Sequence, residues 1–365
     1  MAWTEQLPSG RWRGMYRESS GRKKSAGTFD SKRAAQQAAN TAEVGARQLP
    51  ARTDVTFGEW CPVWSAGRSV EDSTRREDDK RLARHVMPRW EGEHLADISR
   101  LDVQAWAGEL AESGLSASTV RKIVGVLSAS LKAAVLADLI PSNPCAGVQL
   151  PKIPPSPERW LSVGEVAAIR DVLADSQKLP FELLVGTGMR WGEATGLHWD
   201  NVNLDARTID VVWSHDRAGK FFKPPKSHAK RTIPIGKSLI VLLEAHLDET
   251  GYGEPPEGGD YREMRRPGYG LVLATSAGTP PNGVTFAHAL EAAGQAAFVG
   301  EGKRRRRVGH VRPHDLRHTY ASLLVQSGVP ILAVSKLLGH GSLAVTQRYA
   351  SAGDSAWDSI RAALG

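Results

Sequence analysis

The chain has 365 residues, 41% of them hydrophobic, with a formal net charge of +7 and a pI near 9.4. Such a length predicts two or three domains with ordinary cores, and the positive balance favours a polyanionic partner. No apolar run approaches the ~20 residues that span a bilayer. Arg11, Arg13, Arg17 and Arg22 interrupt any leader-like stretch, and two cysteines, Cys61 and Cys145, are too few for a disulfide scaffold or a zinc site. An intracellular, soluble protein without membrane contact is expected.

The charge is uneven along the chain. Residues 1–50 carry nine Lys/Arg against four Asp/Glu, whereas residues 51–150 carry twelve against fourteen. Within the basic segment, Trp3 to Phe29 alternates short strand-like runs with turn signals at Gly10 and Ser19-Ser-Gly21. Asp30-Ser31 is placed to cap a helix from Lys32 to Val44, and the spacing of Trp12 and Tyr16 suits a small core. Gln48 to Asp54 reads as a linker.

From Thr56 the pattern turns helical. Val120, Ile123, Val124, Leu127 and Leu131 fall on one helical face, Ser99-Arg-Leu-Asp102 reads as a capping start, and Pro141 and Pro144 end the last of four helices. Pro151-Lys-Ile-Pro154-Pro155-Ser-Pro157 predicts an extended linker. Ser162-Val-Gly-Glu165 is a capping box that opens the next domain. Strand-like runs follow at Thr208 to Trp213, Phe221-Phe222 and Arg231 to Ile235, and Gly251 to Gly270 reads as an insertion or mobile loop. The remainder is helical, so the fold class is mainly α with small β elements.

The chemistry-bearing residues lie in this last portion: Gly188-Met-Arg190-Trp-Gly-Glu193, then His314-Asp-Leu-Arg317-His318, Leu338-Gly-His340 and Tyr349. Arginine forks can grip two phosphate oxygens at once, and histidine handles protons near neutrality. A tyrosine, whose pKa is about 10 in water, attacks phosphorus only with such help. Glu193, one helical turn from Arg190, suits the orienting of an arginine, because beside phosphate a carboxylate would repel it. His314 and His318 have a spacing seen in zinc sites, but no third ligand is suitably placed, so no metal is expected.

These motifs resemble those of the tyrosine recombinase (phage-type integrase) family, whose signature runs Arg, Lys, His-x-x-Arg, His, Tyr. Here that order is met by Arg190, Lys226, His314, Arg317, His340 and Tyr349. The resemblance implies an arm-type DNA-binding domain over 1–50 (a three-stranded sheet plus helix), a helical, SAM-like core-binding domain over 55–150, a linker over 151–158, and an α+β catalytic domain over 159–365. It implies Tyr349 as nucleophile, Arg190, Arg317 and His340 on the phosphate, His314 as general base, and Lys226 as acid on the leaving 5′ oxygen, with Lys223 and Lys230 as substitutes. Asp315 and His318 are expected to be structural, and Tyr320 stands as the next candidate nucleophile.

A 3′-phosphotyrosyl bond conserves the energy of the broken linkage, so no cofactor is expected, and no Walker-type loop follows Gly186-Thr-Gly188. DNA contacts are expected from Arg11, Arg13, Arg17, Lys23 and Lys24 of the small sheet, from Arg121 and Lys122 of the long helix, and from Lys303, Arg304, Arg305, Arg306 and Arg307. The implied partners are double-stranded attachment sites, three further copies of the chain in a homotetramer passing through a Holliday junction, and a host DNA-bending or directionality factor. The segment Gly353 to Gly365 would dock on a neighbouring copy. The implied function is site-specific recombination by a phage or mobile-element integrase. A type IB topoisomerase-like enzyme and a catalytically inactive DNA-binding regulator are the alternatives.

Overall fold

In the computed structural model the described residues are 2–17, 23–48, 54–154, 159–225, 230–262 and 265–339. The chain divides into two compact units, Met1–Pro155 and Ser156–Gly365.

The first unit opens with strands Trp3–Gln6, Trp12–Arg17 and Lys23–Phe29 in an antiparallel sheet, followed by the helix Lys32–Gln48. The helix runs four residues beyond the expected Val44, into the stretch read as linker. It packs on the sheet over Gly14, where a side chain would collide with the Ala35 carbonyl. Alternation along the strand places Trp12, Gly14 and Tyr16 on the helix side and Arg13, Met15 and Arg17 on the other. Register puts Lys23 opposite Arg17 and Lys24 opposite Tyr16.

Four helical segments follow. Phe57–Ala66 starts at a Thr56–Glu59 capping box. Asp72–Arg81 continues through a π turn at Leu82–Val86 into Met87–Trp90. In the π turn the Met87 N–H reaches back to the Leu82 carbonyl, which carries the helix into Pro88, a residue with no N–H to donate. Arg100–Glu112 begins at the expected Ser99–Asp102 capping box, and Ala117–Leu136 is the long amphipathic helix. Phe57, Trp90, Trp106, Ile123, Leu127 and Leu131 lie in its buried core, with Trp90 and Trp106 edge to face at 5.5 Å.

The second unit is built on helices Val163–Val172, Asp175–Thr187, Lys237–Thr250, Gly283–Ala296, Pro313–Gln326 and Ile331–Leu338. Asp175–Thr187 and Pro313–Gln326 pack together over a core that includes Ile169, Phe181, Leu184, Phe286 and Leu316. An antiparallel sheet of Val202–Asn203, Thr208–Val211 and Arg231–Pro234 covers one side, with Ile209 opposite Ile233. A second sheet pairs Ser214–Asp216 with Phe221–Lys223 and adds Asp260–Tyr261 in parallel.

The segment read as an insertion or mobile loop, Gly251 to Gly270, is anchored within its described residues. Tyr261 stacks on Phe222 at 4.8 Å, its hydroxyl bonds His198 Nε2 at 3.1 Å, and Tyr252 stacks on Tyr269. Gly and Pro density marked the turns, but the aromatics spaced between them decide the packing. No described helix is long and apolar enough to cross a membrane.

Gly14 gives the first test. In Gly14→Ala the new methyl would sit 2.4 Å from the Ala35 carbonyl oxygen, so helix and sheet must separate. Amide exchange in Lys32–Gln48 should rise by about tenfold or more, while that in Asp175–Thr187 stays unchanged. Unchanged exchange in both would show that the first helix does not depend on this close approach.

Candidate active site

Two left-handed turns frame the site. Helix Asp175–Thr187 ends at Gly188 (φ +64°) and helix Ile331–Leu338 at Gly339 (φ +66°). Only glycine fits the first: an added Cβ would lie 2.4 Å from Tyr320 Cδ1 and 2.9 Å from Leu338 Cδ2. The two helix ends direct the carbonyls of Gly188 and Leu338 at Arg317, which donates from Nη1 to the first and from Nη2 to the second, each at 2.6 Å. Arg317 is 2% exposed. It staples three elements together as well as offering a cation to the site.

Glu193 supplies the counter-charge. It lies in the short helix Trp191–Thr195, for which Arg190 is the N-cap residue, and is 1% exposed. It accepts the Arg190 N–H and Arg190 Nη1, both at 2.8 Å. From the strand Arg231–Pro234, Arg231 donates Nη2 to Glu193 Oε2 at 2.6 Å and Nη1 to Oε1 at 3.3 Å. The same guanidinium sends Nε to the Leu337 carbonyl at 2.7 Å. Burial opposes the charge on Glu193, but the Arg231 bonds, followed by those of Arg190, outweigh it and hold its pKa below the ordinary value. Arg190 keeps 34% of its side chain exposed, so it can present a cation to a ligand.

His314 occupies the second position of helix Pro313–Gln326, its ring edge to face with His318 at 4.6 Å. The residue as a whole is exposed, yet the ring is desolvated on its inner side. That desolvation, then the charges of His318, Arg317 and Arg190, push its pKa down to about 4. It is a neutral imidazole beside cations, the form that can accept a proton. Asp315 is engaged in capping: it accepts the Arg312 N–H, Nε and Nη2 at 2.9, 3.3 and 3.0 Å. Tyr320 is buried against Gly188, and burial pushes its pKa up to about 12, which disfavours it as a nucleophile.

Arg190, Glu193, His314 and Arg317 are thus brought into one region. Lys226, His340 and Tyr349 lie outside the described residues. Of the substitutes for Lys226, Lys223 has its Nζ 3.8 Å from Asp216 and Lys230 is exposed. Arg231 was not singled out from the sequence. The signal for it was there: alternation places it with Ile233 and Ile235 on the buried face of its strand, an inward position where a cation needs a partner.

The basic residues outside the centre separate by partner. Arg11 pairs with Asp30 at 2.8 Å, Arg13 is half-buried, and Arg17, Lys23 and Lys24 are exposed. Arg121 donates to the carbonyls of Pro151 and Leu150, which fastens the start of the linker, whereas Lys122 is exposed. Lys303, Arg304, Arg305, Arg306 and Arg307 are all exposed; Arg306 also bonds Glu165.

The chain matches the phage integrase family over residues 159–355, more than half of its length. It is 26% identical over 275 residues to a protein named tyrosine recombinase XerC-like from Caldanaerobacter subterraneus, covering 70% of this chain and 67% of that one. An integrase of Streptomyces ambofaciens is 27% identical over 304 residues, 79% of this chain and 73% of the relative. Among solved structures, the Tn1549 transposon integrase in complex with transposon right end DNA superposes with a TM-score of 0.69 at 19% identity, over 85% of this chain and 100% of the other. A lambda integrase tetramer bound to a Holliday junction gives 0.60 at 19% identity, over 95% and 94%. At these identities the structural likeness is one of fold.

Three outcomes follow from the geometry. The His314 ring protons in the free chain should titrate near pH 4 by NMR, and Arg190→Gln should raise the midpoint; a wild-type midpoint at the ordinary 6.5 would show that the ring is not held neutral. Glu193→Ala leaves two arginines facing an uncharged void and should cost about 3–5 kcal/mol in urea unfolding. Arg231→Lys should also lose stability, because an ammonium cannot serve Glu193 and the Leu337 carbonyl with one planar fork.

Proposed function

This chain belongs to the phage integrase family, and we propose that it is a site-specific DNA recombinase that cuts and rejoins duplex DNA through a 3′-phosphotyrosyl bond at Tyr349. The observation that carries the reading is the Glu193 cluster. One buried carboxylate, two arginines bonded to it and the Arg317 staple gather cationic donors and a neutral His314 beside the turn that leads into His340. That set suits a phosphodiester undergoing attack, where charge grows on the non-bridging oxygens.

In the proposed reaction the Tyr349 phenol oxygen attacks phosphorus and its proton passes to His314. The bond to the 5′ oxygen breaks, and Lys226 protonates that oxygen as it leaves. Arg190, Arg317 and His340 hold the phosphate, and Glu193 keeps Arg190 oriented. Rejoining runs the same steps in reverse with a 5′ hydroxyl as nucleophile, so phosphodiester bonds are conserved and no nucleotide is consumed. The incoming phosphate would raise the proton affinity of His314, bringing an imidazole of low pKa towards the working range of a base.

The domain assignment is part of the proposal: an arm-type module over 1–50, a core-binding module over 55–150, a linker over 151–158 and a catalytic module over 159–365. Arg13, Arg17 and Lys23 share the helix-free face of the small sheet, which fits a duplex groove. The related lambda integrase forms a tetramer on a Holliday junction, and a tetramer of this chain on its attachment sites, assisted by a host DNA-bending or directionality factor, is the corresponding assembly.

A suicide duplex, nicked near the crossover and taken from the DNA flanking the element, should trap a 3′-linked protein–DNA adduct with the wild-type chain. Tyr349→Phe should bind the same duplex and trap nothing. An adduct formed by the Phe variant would remove Tyr349 from its role.

A further inference from the structure

The hairpin Phe298–Val299 and Arg306–Arg307 is antiparallel, with Phe298 opposite Arg307 and Val299 opposite Arg306. It divides the basic run between two faces. Arg306 stays exposed but is ion-paired: its Nη1 donates to Glu165 Oε1 at 2.9 Å. That same oxygen receives Arg159 Nη2 at 3.5 Å, and Arg159 also donates to the Val308 carbonyl at 2.6 Å. Glu165 is 5% exposed and is the N3 partner of Ser162 in the capping box of helix Val163–Val172, so Arg306 is tied to the framework of the unit.

Arg305 and Arg307 turn the other way. Their guanidinium carbons lie 4.5 and 5.5 Å from the centroid of the Phe298 ring, a residue that is 42% exposed. Arg307 Nη1 also reaches Gln295 Oε1 at 3.5 Å, a neutral acceptor, and no carboxylate pairs with it among the described residues. A guanidinium stacked on an aromatic face spends its π surface and keeps its N–H donors at the rim, directed away from the ring. The exposed phenylalanine thus acts as a platform that limits the freedom of two long side chains and spaces their forks on one ledge.

We propose that Arg305 and Arg307, held against Phe298, form a two-pronged site for the phosphodiester backbone of duplex DNA, and that Arg306 is a structural tether outside it. The identity of the polymer rests on the function proposed above. Among the three consecutive arginines 305–307, geometry assigns backbone contact to two, where charge alone would treat all three alike.

The test measures binding of the full chain to its junction duplex as a function of salt, with adduct formation on the suicide duplex as a parallel arm. Each phosphate contact contributes about 0.9 to the slope of log K against log salt. Arg305→Gln and Arg307→Gln should each flatten the slope by about that amount. Arg306→Gln should keep the wild-type slope and lower the melting temperature. Phe298→Leu retains both charges and an apolar side chain, so its slope should persist while affinity falls about threefold to tenfold. Wild-type slopes in Arg305→Gln and Arg307→Gln, an Arg306→Gln slope as flat as theirs, or wild-type affinity in Phe298→Leu would each overturn the site. If the wild-type chain still forms the adduct in those cases, the recombinase reading stands and only the hairpin site falls; a wild-type chain that neither binds the duplex nor forms an adduct overturns both.

Discussion

The Glu193 carboxylate is the constraint on which the rest of the site depends. A buried charge is tolerated only when its partners are fixed and its lone pairs are filled. Glu193 meets that condition with the Arg190 N–H and side chain and with Arg231, while Arg231 in turn holds the Leu337 carbonyl. Three stretches distant in sequence are thereby set in register. Arg317 makes a similar link, joining the carbonyls of Gly188 and Leu338. The glycines that end the two helices are required because these carbonyls must face a common centre.

The electrostatic consequence is a surplus of positive charge around one buried anion. Arg190 and Arg231 flank Glu193, while desolvation first, and then the charges of His318, Arg317 and Arg190, keep His314 neutral. Hydrogen-bond donors fixed before a ligand arrives need not reorganise when charge develops on it, which is the condition for strong transition-state stabilisation. An anion entering beside Arg190 would balance the charge and make the imidazole more basic, so in the proposed reaction binding and proton transfer would be coupled by the same field.

Basic residues elsewhere differ in what they are able to do. Arg121 and Arg306 are spent on internal acceptors, and Arg11 is paired with Asp30. Arg305 and Arg307 rest on an aromatic ring. The net charge of +7 is consistent with a polyanionic partner, but the orientation of each fork determines whether it reaches outward.

Local signals in the sequence were enough for much of this. Capping boxes at Ser99 and Ser162, the amphipathic pattern of Ala117–Leu136 and the alternation in residues 3–29 all produced the elements they predict, because each depends on neighbours within a few residues. The ordered motifs from Arg190 to Tyr349 pointed to the family. Three things were decided only by tertiary structure. Arg231 became a partner of Glu193 through strand pairing that spans many residues. Gly251 to Gly270 was anchored by Tyr261 stacking on Phe222, a contact between segments that carry no local sign of each other. The run from Lys303 to Arg307 was split between faces by pairing with Phe298–Val299. Propensity and capping are short-range and can be read along the chain, whereas the partner of a buried charge or an exposed ring is set by which distant segment the fold brings beside it.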